Sequence, residues 1–147
     1  MALDLDDPIV PGHSAAGIVL GTSITPILGE NEGIFTSEPV FDALGRSSGA
    51  RYRSTTVDLW SMNDDDTVTQ IMVHGHYRGR LMGHISIGSS VTDIETLVGP
   101  CDEDEEDNLV IQGLPGLAIE IASTYADPAW KDAPITELYV FRAQSLL

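Results

Sequence analysis

The residues of this chain best equipped for chemistry are carboxylates, and they come in runs. Asp102, Glu103, Asp104, Glu105, Glu106 and Asp107 are six acids in succession. Like charges so close repel one another and cannot be buried unpaired, so the run must face water, hold a cation or meet a basic partner. It reads as a solubilising loop, or as a phosphate mimic that fills the cationic groove of a basic enzyme such as a nuclease. A calcium loop is the third reading, without the alternating ligand spacing and central glycine of an EF-hand. Asp64, Asp65 and Asp66 form a second acidic knot, placed between two strand-like segments and therefore at a hairpin tip.

Histidine offers a different chemistry. His74 and His76 are two apart, which on a strand puts both on one face, and His84 would complete a zinc or iron triad. A metal-dependent enzyme built on His74, His76 and His84 is thus the alternative from another class. Against it, Gly75, Arg78 and Arg80 mark a strand end, and no carboxylate at fixed spacing accompanies the pair. No metal site and no cofactor is therefore assigned. Nucleophilic catalysis lacks its parts as well. Gly45-Arg46-Ser47-Ser48-Gly49 has the Gly-x-Ser-x-Gly spacing but falls in a stretch broken up by glycines and prolines, not at a strand-to-helix elbow, and Cys101 adjoins the acidic run, which should raise its pKa and blunt it. No Gly-Lys-Ser/Thr sequence cradles a phosphate. No catalytic residue is assigned, and the expectation is a protein that binds and is not an enzyme. Its aromatic anchors would come from Trp60, Tyr77, Tyr125 and Trp130. Trp60 and Tyr77 are expected to finish the core or its rim. Tyr125 and Trp130 then join Asp64–Asp66 and Asp102–Asp107 as the partner-binding set.

The totals narrow the partner. At 147 residues and 42% hydrophobic content, the chain has the material for a single domain with its own core. Its net charge of −16 repels phosphate backbones and anionic membranes, so nucleic acid and membrane are excluded as partners. A basic protein is the natural complement, and opposite fields speed encounter. Five of the seven basic residues, Arg46, Arg51, Arg53, Arg78 and Arg80, lie between positions 46 and 80, leaving the second half nearly all acidic. A single cysteine supports no disulfide framework. The start, Met1 to Pro8, lacks the basic-then-apolar pattern of a signal peptide, and no apolar run reaches membrane-spanning length. The expected location is cytoplasmic.

The elements that carry these residues follow a repeated template. Gly17-Ile18-Val19-Leu20-Gly21-Thr22-Ser23-Ile24-Thr25 matches His84-Ile85-Ser86-Ile87-Gly88-Ser89-Ser90-Val91-Thr92 at an offset of 67 residues, and Val68–Val73 lies over Ile135–Val140 at the same offset. A tandem duplication is implied, with repeat 1 over about 17–80 and repeat 2 over about 84–143. Residues 1–16 read as a loose acidic arm. Glycines and prolines break up residues 26–50, with room for a two-turn helix over Glu38–Leu44 capped by Ser37. Residues 51–61 and 67–76 read as strands around the 63–66 turn. In repeat 2, Ile85–Ile87 is a strand and Ser89 or Ser90 caps a helix through Val91, Ile94, Leu97 and Val98, which Gly99-Pro100 ends. The acidic run is an exposed loop, and 108–112, 117–121 and 135–141 are strands. A long loop over 125–134 carries Trp130 and Lys131.

The segment from Ile85 through Gly99-Pro100 resembles the repeat of β-lactamase-inhibitor-protein-like domains, with its Gly-Ser/Thr turn, short helix and closing Gly-Pro. The stretch from Glu105-Glu106-Asp107 through Gly116-Leu117-Ala118-Ile119-Glu120 and the closing strand 135–141 resemble small acidic immunity proteins of bacterial toxin systems. The resemblance implies an α+β fold in which two tandem helix-plus-strands repeats form an antiparallel sheet with helices on one face. It also implies an immunity protein that occludes the active site of a cognate toxin domain, as in contact-dependent inhibition. That partner would be basic, a nuclease for instance, met by a monomer or weak dimer. It transfers no catalytic residues. A generic adaptor with several partners is the remaining alternative.

Overall fold

The computed structural model describes residues 2–62 and 65–143. Two short strands, β1 (Ser14–Ala15) and β2 (Ile18–Val19), precede helix α1 (Ile24–Glu30) and strands β3 (Thr36–Phe41), β4 (Ser47–Arg53), β5 (Val57–Met62) and β6 (Gln70–His74). Helix α2 (Val91–Leu97) follows, then β7 (Cys101–Glu103), β8 (Leu109–Ile111), β9 (Leu117–Ile121), a 3-10 turn (Trp130–Asp132) and β10 (Ile135–Phe141). Eight strands make one sheet in the order β3-β4-β5-β6-β10-β9-β8-β7, with antiparallel neighbours throughout. The molecule is therefore mostly antiparallel sheet, with two helices of seven residues each.

Strand alternation decides which face is dry. Leu59, Ile71, Val140 and Leu117 stand side by side across β5, β6, β10 and β9, as do Val57, Val73, Leu138 and Ile119. All eight are buried, in one core with Ile24 and Ile27 of α1 and with Val91 and Ile94 of α2. The alternate residues face the other way. They form a row of Asp58, Met72, Tyr139 and Ala118, flanked by Trp60, Gln70 and Phe141 on one side and by His74, Glu137 and Glu120 on the other. Among the described residues the buried helix positions cluster with the first face and not with this one, which is called the open face below.

The two outer strands would invite pairing with another sheet, and the sequence guards both. Edge strand β3 contains Pro39, which has no N–H to offer. Edge strand β7 contains Asp102 and Glu103. The acidic run is thus not wholly a loop: its first two residues pair with Val110 and Leu109, and only 104–107 turn.

The expected loose arm over 1–16 is replaced, for residues 2–16, by a fastened strap. Ile9, Ala15 and Ala16 are buried. Tyr77 anchors the strap: its hydroxyl donates to the Asp7 carbonyl at 2.6 Å and accepts from the Ala16 N–H at 2.8 Å. Arg78 and Gly79 donate backbone N–H groups to the Leu5 carbonyl, and the Arg78 side chain pairs with Asp6 at 2.7 Å. Gly79 has to be glycine there, because a Cβ would collide with the carbonyl oxygen of Asp7. Burial, with Asp7 and Asp4 adding to it, pushes the Tyr77 hydroxyl up to about 12. A folded pKa above the unfolded one contributes stability that is complete below the unfolded value and lost as pH rises through the folded one. Stability should therefore decline from about pH 10 toward pH 12. A Tyr77→Phe variant should be less stable at neutral pH yet show a shallower alkaline decline, measured by urea unfolding across that range. An unchanged slope would place the alkaline sensitivity on other groups, Tyr139 first.

Other local expectations were redrawn by tertiary context. The 38–44 stretch is strand and turn, because Asp42 closes a hairpin by accepting from the N–H groups of Leu44 and Arg46. The single strand expected over 51–61 is two, broken where the Ser54 hydroxyl accepts from the N–H of Val57. Pro26 does not prevent α1, since it sits in the first helical turn, where its missing N–H costs nothing. Ser90 caps α2 in a reciprocal capping box with Asp93. The Ile85–Ile87 strand reduces to a bridge between Ile85 and Leu81.

Candidate functional site

The acidic run occupies one corner of the sheet. Asp104 Oδ1 accepts from the backbone N–H groups of Glu106 and Asn108, which folds the turn, and Asp107 takes a left-handed φ of 62° to complete it. Those hydrogen bonds hold the Asp104 carboxyl below the usual carboxylate range. Asp102, Glu103, Asp104, Glu105, Glu106 and Asp107 are all exposed. Among the described residues, the basic side chains that form ion pairs do so with Asp6, Glu38, Asp42, Asp58 and Glu95, never with this run.

Tyr125 and Trp130 belong to the same corner. Their rings meet edge to face at 4.8 Å, and a recess of about 350 Å³ is lined by Trp130 together with Asp102, Glu103, Leu109 and Lys131. Tyr125 is exposed, and its hydroxyl is raised by burial of the ring edge and then by Glu103. Trp130 is more committed to packing, half-buried against the core, with the Lys131 ammonium 5.6 Å from its ring. Lys131 is itself held by Glu95 at 2.7 Å. Cys101 lies beneath this corner with its thiol pushed up to about 11, mainly by burial and then by Glu95. The expected direction holds, but its cause is desolvation more than the neighbouring acids.

The second acidic knot is elsewhere. Asp64 lies outside the described residues. Asp66 is used internally: its carboxylate accepts from the hydroxyls of Ser23 and Thr25 (2.6 Å from Thr25), and its backbone carbonyl accepts from the Ile24 N–H. The Ser23 and Thr25 hydroxyls hold its carboxyl below the ordinary value. It fastens the start of α1 while remaining exposed. Asp65 is exposed, but it sits at the end of the sheet where Gln70 pairs with Phe141. The 104–107 turn lies at the opposite end, beyond the Leu109–Ile119 pair and toward Glu137 and His74. The two acidic knots therefore lie at opposite ends of the sheet.

The metal alternative is not assembled either. Gly75, with φ of +60°, ends β6 directly after His74 and swings His76 out of the strand. Among the described residues, no three His, Cys, Asp or Glu side chains come together as ligands. His74 instead serves Asp58, with Nε2 3.0 Å from Oδ1.

Two features of the open face were not foreseen. The first is the setting of Asp58, which is 2% exposed. Arg51 donates to its Oδ2 from Nε at 3.0 Å and from Nη2 at 2.7 Å, while its guanidinium carbon stands 4.7 Å over the Trp60 ring. The Ser54 N–H completes the shell at 3.1 Å. The second is a cleft of about 350 Å³ with Ala118 lining it, Tyr139 and Phe141 as aromatic walls and Glu106, Asn108, Glu120 and Gln70 as polar ones. Tyr139 donates to Glu137 at 3.2 Å, and burial followed by Glu137 pushes its hydroxyl up to about 12. Alternation over 57–62 and 137–141 marks these side chains as sharing faces of their strands. Only the β6–β10 pairing brings the strands together, and no local signal encodes it.

No helix of the described chain is long and apolar enough to cross a membrane. No protein-family model matches the sequence, and no curated protein sequence matches it. Solved structures do. The uncharacterized protein YfeY from Escherichia coli is similar with a TM-score of 0.64 at 11% identity, over 90% of this chain and 99% of that one. A cysteine-rich secretory protein (SAV1118) from Staphylococcus aureus is similar with a TM-score of 0.51 at 10% identity, over 99% of this chain and 55% of the other. At such identities the likeness is one of fold alone.

Proposed function

We propose that this protein is a binder without catalytic machinery that neutralises a basic protein by covering its cationic site with the acidic corner of the sheet. The observation that carries the reading is the set of six exposed carboxylates, Asp102–Asp107, none of them ion-paired among the described residues. Uncompensated charge of one sign on a fixed turn steers and orients a partner of the other sign. The exposed Tyr125 beside it offers an amphipathic anchor. With the resemblance of residues 105–120 and 135–141 to immunity proteins, the partner is a cognate bacterial toxin domain, a nuclease being the best match to a phosphate-like surface. Its site of action would be the cytoplasm. Guarded edges at β3 and β7 favour a monomer over sheet-to-sheet dimerisation.

The duplication belongs to the same reading. Each half runs from a seven-residue helix into four antiparallel strands, and the helices start at Ile24 and Val91, 67 positions apart. Met72 and Tyr139, also 67 apart, face each other across β6 and β10, as a two-fold axis between equivalent halves requires.

The test is capture from the source bacterium at low salt, followed by an activity assay of the captured partner's isolated domain with and without this protein. One stoichiometric basic partner, inhibited on mixing, is the expected result. A partner whose activity is unchanged, or several sub-stoichiometric ones, would replace the reading with that of an adaptor.

A further inference from the structure

We infer that the open-face cleft between Tyr139, Phe141 and Glu120 receives the guanidinium of an arginine side chain carried by the basic partner. The inference rests on the reading of a basic partner and on the two-fold relation between the halves, and the molecule contains its own precedent. In the first half, Arg51 lies against Trp60 and Asp58 at the distances given above.

The strand registers give the equivalent places in the second half. Met72 corresponds to Tyr139, so its neighbour Asp58 corresponds to Ala118, the neighbour of Tyr139. By the same steps Trp60 corresponds to Glu120, and Arg51, opposite Trp60, corresponds to Asn108, next along from the Leu109–Ile119 pair. Even the outer contact is preserved in kind: Arg51 reaches Glu38 at 3.8 Å, and the Asn108 amide donates to Asp104 at 3.3 Å. Where one half supplies a long cation and a carboxylate, the other has two short side chains, and the cleft is the space they leave.

The lining of that space suits the missing group. Tyr139 and Phe141 offer ring surfaces for a planar cation, and Glu120 and Glu106 offer carboxylate acceptors. Gln70 and Asn108 add neutral polar groups, and no Lys or Arg lines the cleft. Its volume of about 350 Å³ falls at the lower end of pockets that hold ligands. Arginine fits better than lysine because a flat guanidinium can stack and hydrogen-bond at once, whereas an ammonium is a strongly hydrated point charge.

The test uses the whole protein, isotopically labelled for NMR, and three capped tripeptides: Gly-Arg-Gly, Gly-Lys-Gly and Gly-citrulline-Gly. The arginine peptide should shift the Glu120 and Tyr139 signals saturably, the lysine peptide less, and the uncharged citrulline peptide not at all. Asn108→Arg supplies the cation from within, and should weaken arginine-peptide binding about tenfold, the scale of a partly desolvated cation–π contact with its charge-assisted hydrogen bonds. Glu32→Gln, at an exposed position away from the cleft and the acidic corner, makes the same change in net charge and should alter binding by less than about twofold, as an exposed charge does. Glu120→Gln, at an exposed position, should weaken binding without risk to the fold. Equal losses in Asn108→Arg and Glu32→Gln, or shifts spread over the acidic surface without saturation, would overturn the cleft as a site. A basic partner that still binds Asn108→Arg at full affinity sinks the cleft and leaves the acidic-corner reading intact. A saturable cleft with no basic partner to be found sinks only that reading.

Discussion

Asp58→Ala should destabilise the fold by about 3 kcal/mol, the lower end of the cost of breaking a buried ion pair from one side. The reason lies in what the substitution leaves behind. Arg51 would keep only a 3.8 Å approach to Glu38 and the Trp60 ring, and its side chain is 25% exposed, too little for water to replace Asp58 fully. His74 and the Ser54 N–H would lose their acceptor as well. Asp58→Asn should cost clearly less, since it keeps an acceptor of the same shape. Urea denaturation of the two variants, together with Arg51→Met and the Asp58→Ala/Arg51→Met double variant, reads the coupling. If the double variant is no more stable than Asp58→Ala alone, the orphaned cation is not the source of the loss.

Replacing Asp102, Glu103, Glu105 and Glu106 with their amides should weaken partner binding about a hundredfold or more at low salt and nearly abolish its salt dependence, because a charged surface acts through a field that salt screens. Asp104 and Asp107 are best left in place, since Asp104 folds the turn and Asp107 holds its left-handed residue. Stability should change little, because the four side chains are exposed and, within the described chain, form no ion pair, and an amide at position 102 keeps an oxygen to accept from the N–H of residue 103 as Asp102 does. Titration at two salt concentrations separates the possibilities. An unchanged affinity would reduce the run to guarding the β7 edge, and amide variants would then self-associate instead.

Much of the second half was legible because its signals are local. The spacing of Val91 and Ile94, a serine cap with Asp93 three residues on, and Gly99-Pro100 all act within one turn of α2, and the structure has them there. Strands β8, β9 and β10 are apolar runs bounded by turn residues, and they formed within a residue of their expected limits. The first half defied reading for a different reason. Residues 36–41 form a strand because β4 pairs with them and Asp42 closes the hairpin, and neither fact is visible in Val40, Phe41 and Leu44 taken alone. The strap over 2–16 depends on Tyr77, some seventy positions away, so its acidic composition suggested solvent where the fold supplies partners. The candidate site divides the same way. The exposure of 102–107 follows from charge, whereas the use of Asp66 to tether α1 and the cleft beside Ala118 depend on pairings between distant strands.

The pairing of β6 with β10 also sets the order in which the molecule can be made. Strand β10 is the final element of the sheet, yet it stands in the middle, against a strand some 65 residues earlier. Until it emerges from the ribosome, β6 is a bare margin of Ile71, Met72 and Val73, without the proline or acids that blunt the permanent margins. Contacts closed over so long a loop form slowly, and an apolar margin left open meanwhile can pair with the wrong chain. Biogenesis therefore has a vulnerable interval that ends only when residues 135–141 slot between β6 and β9.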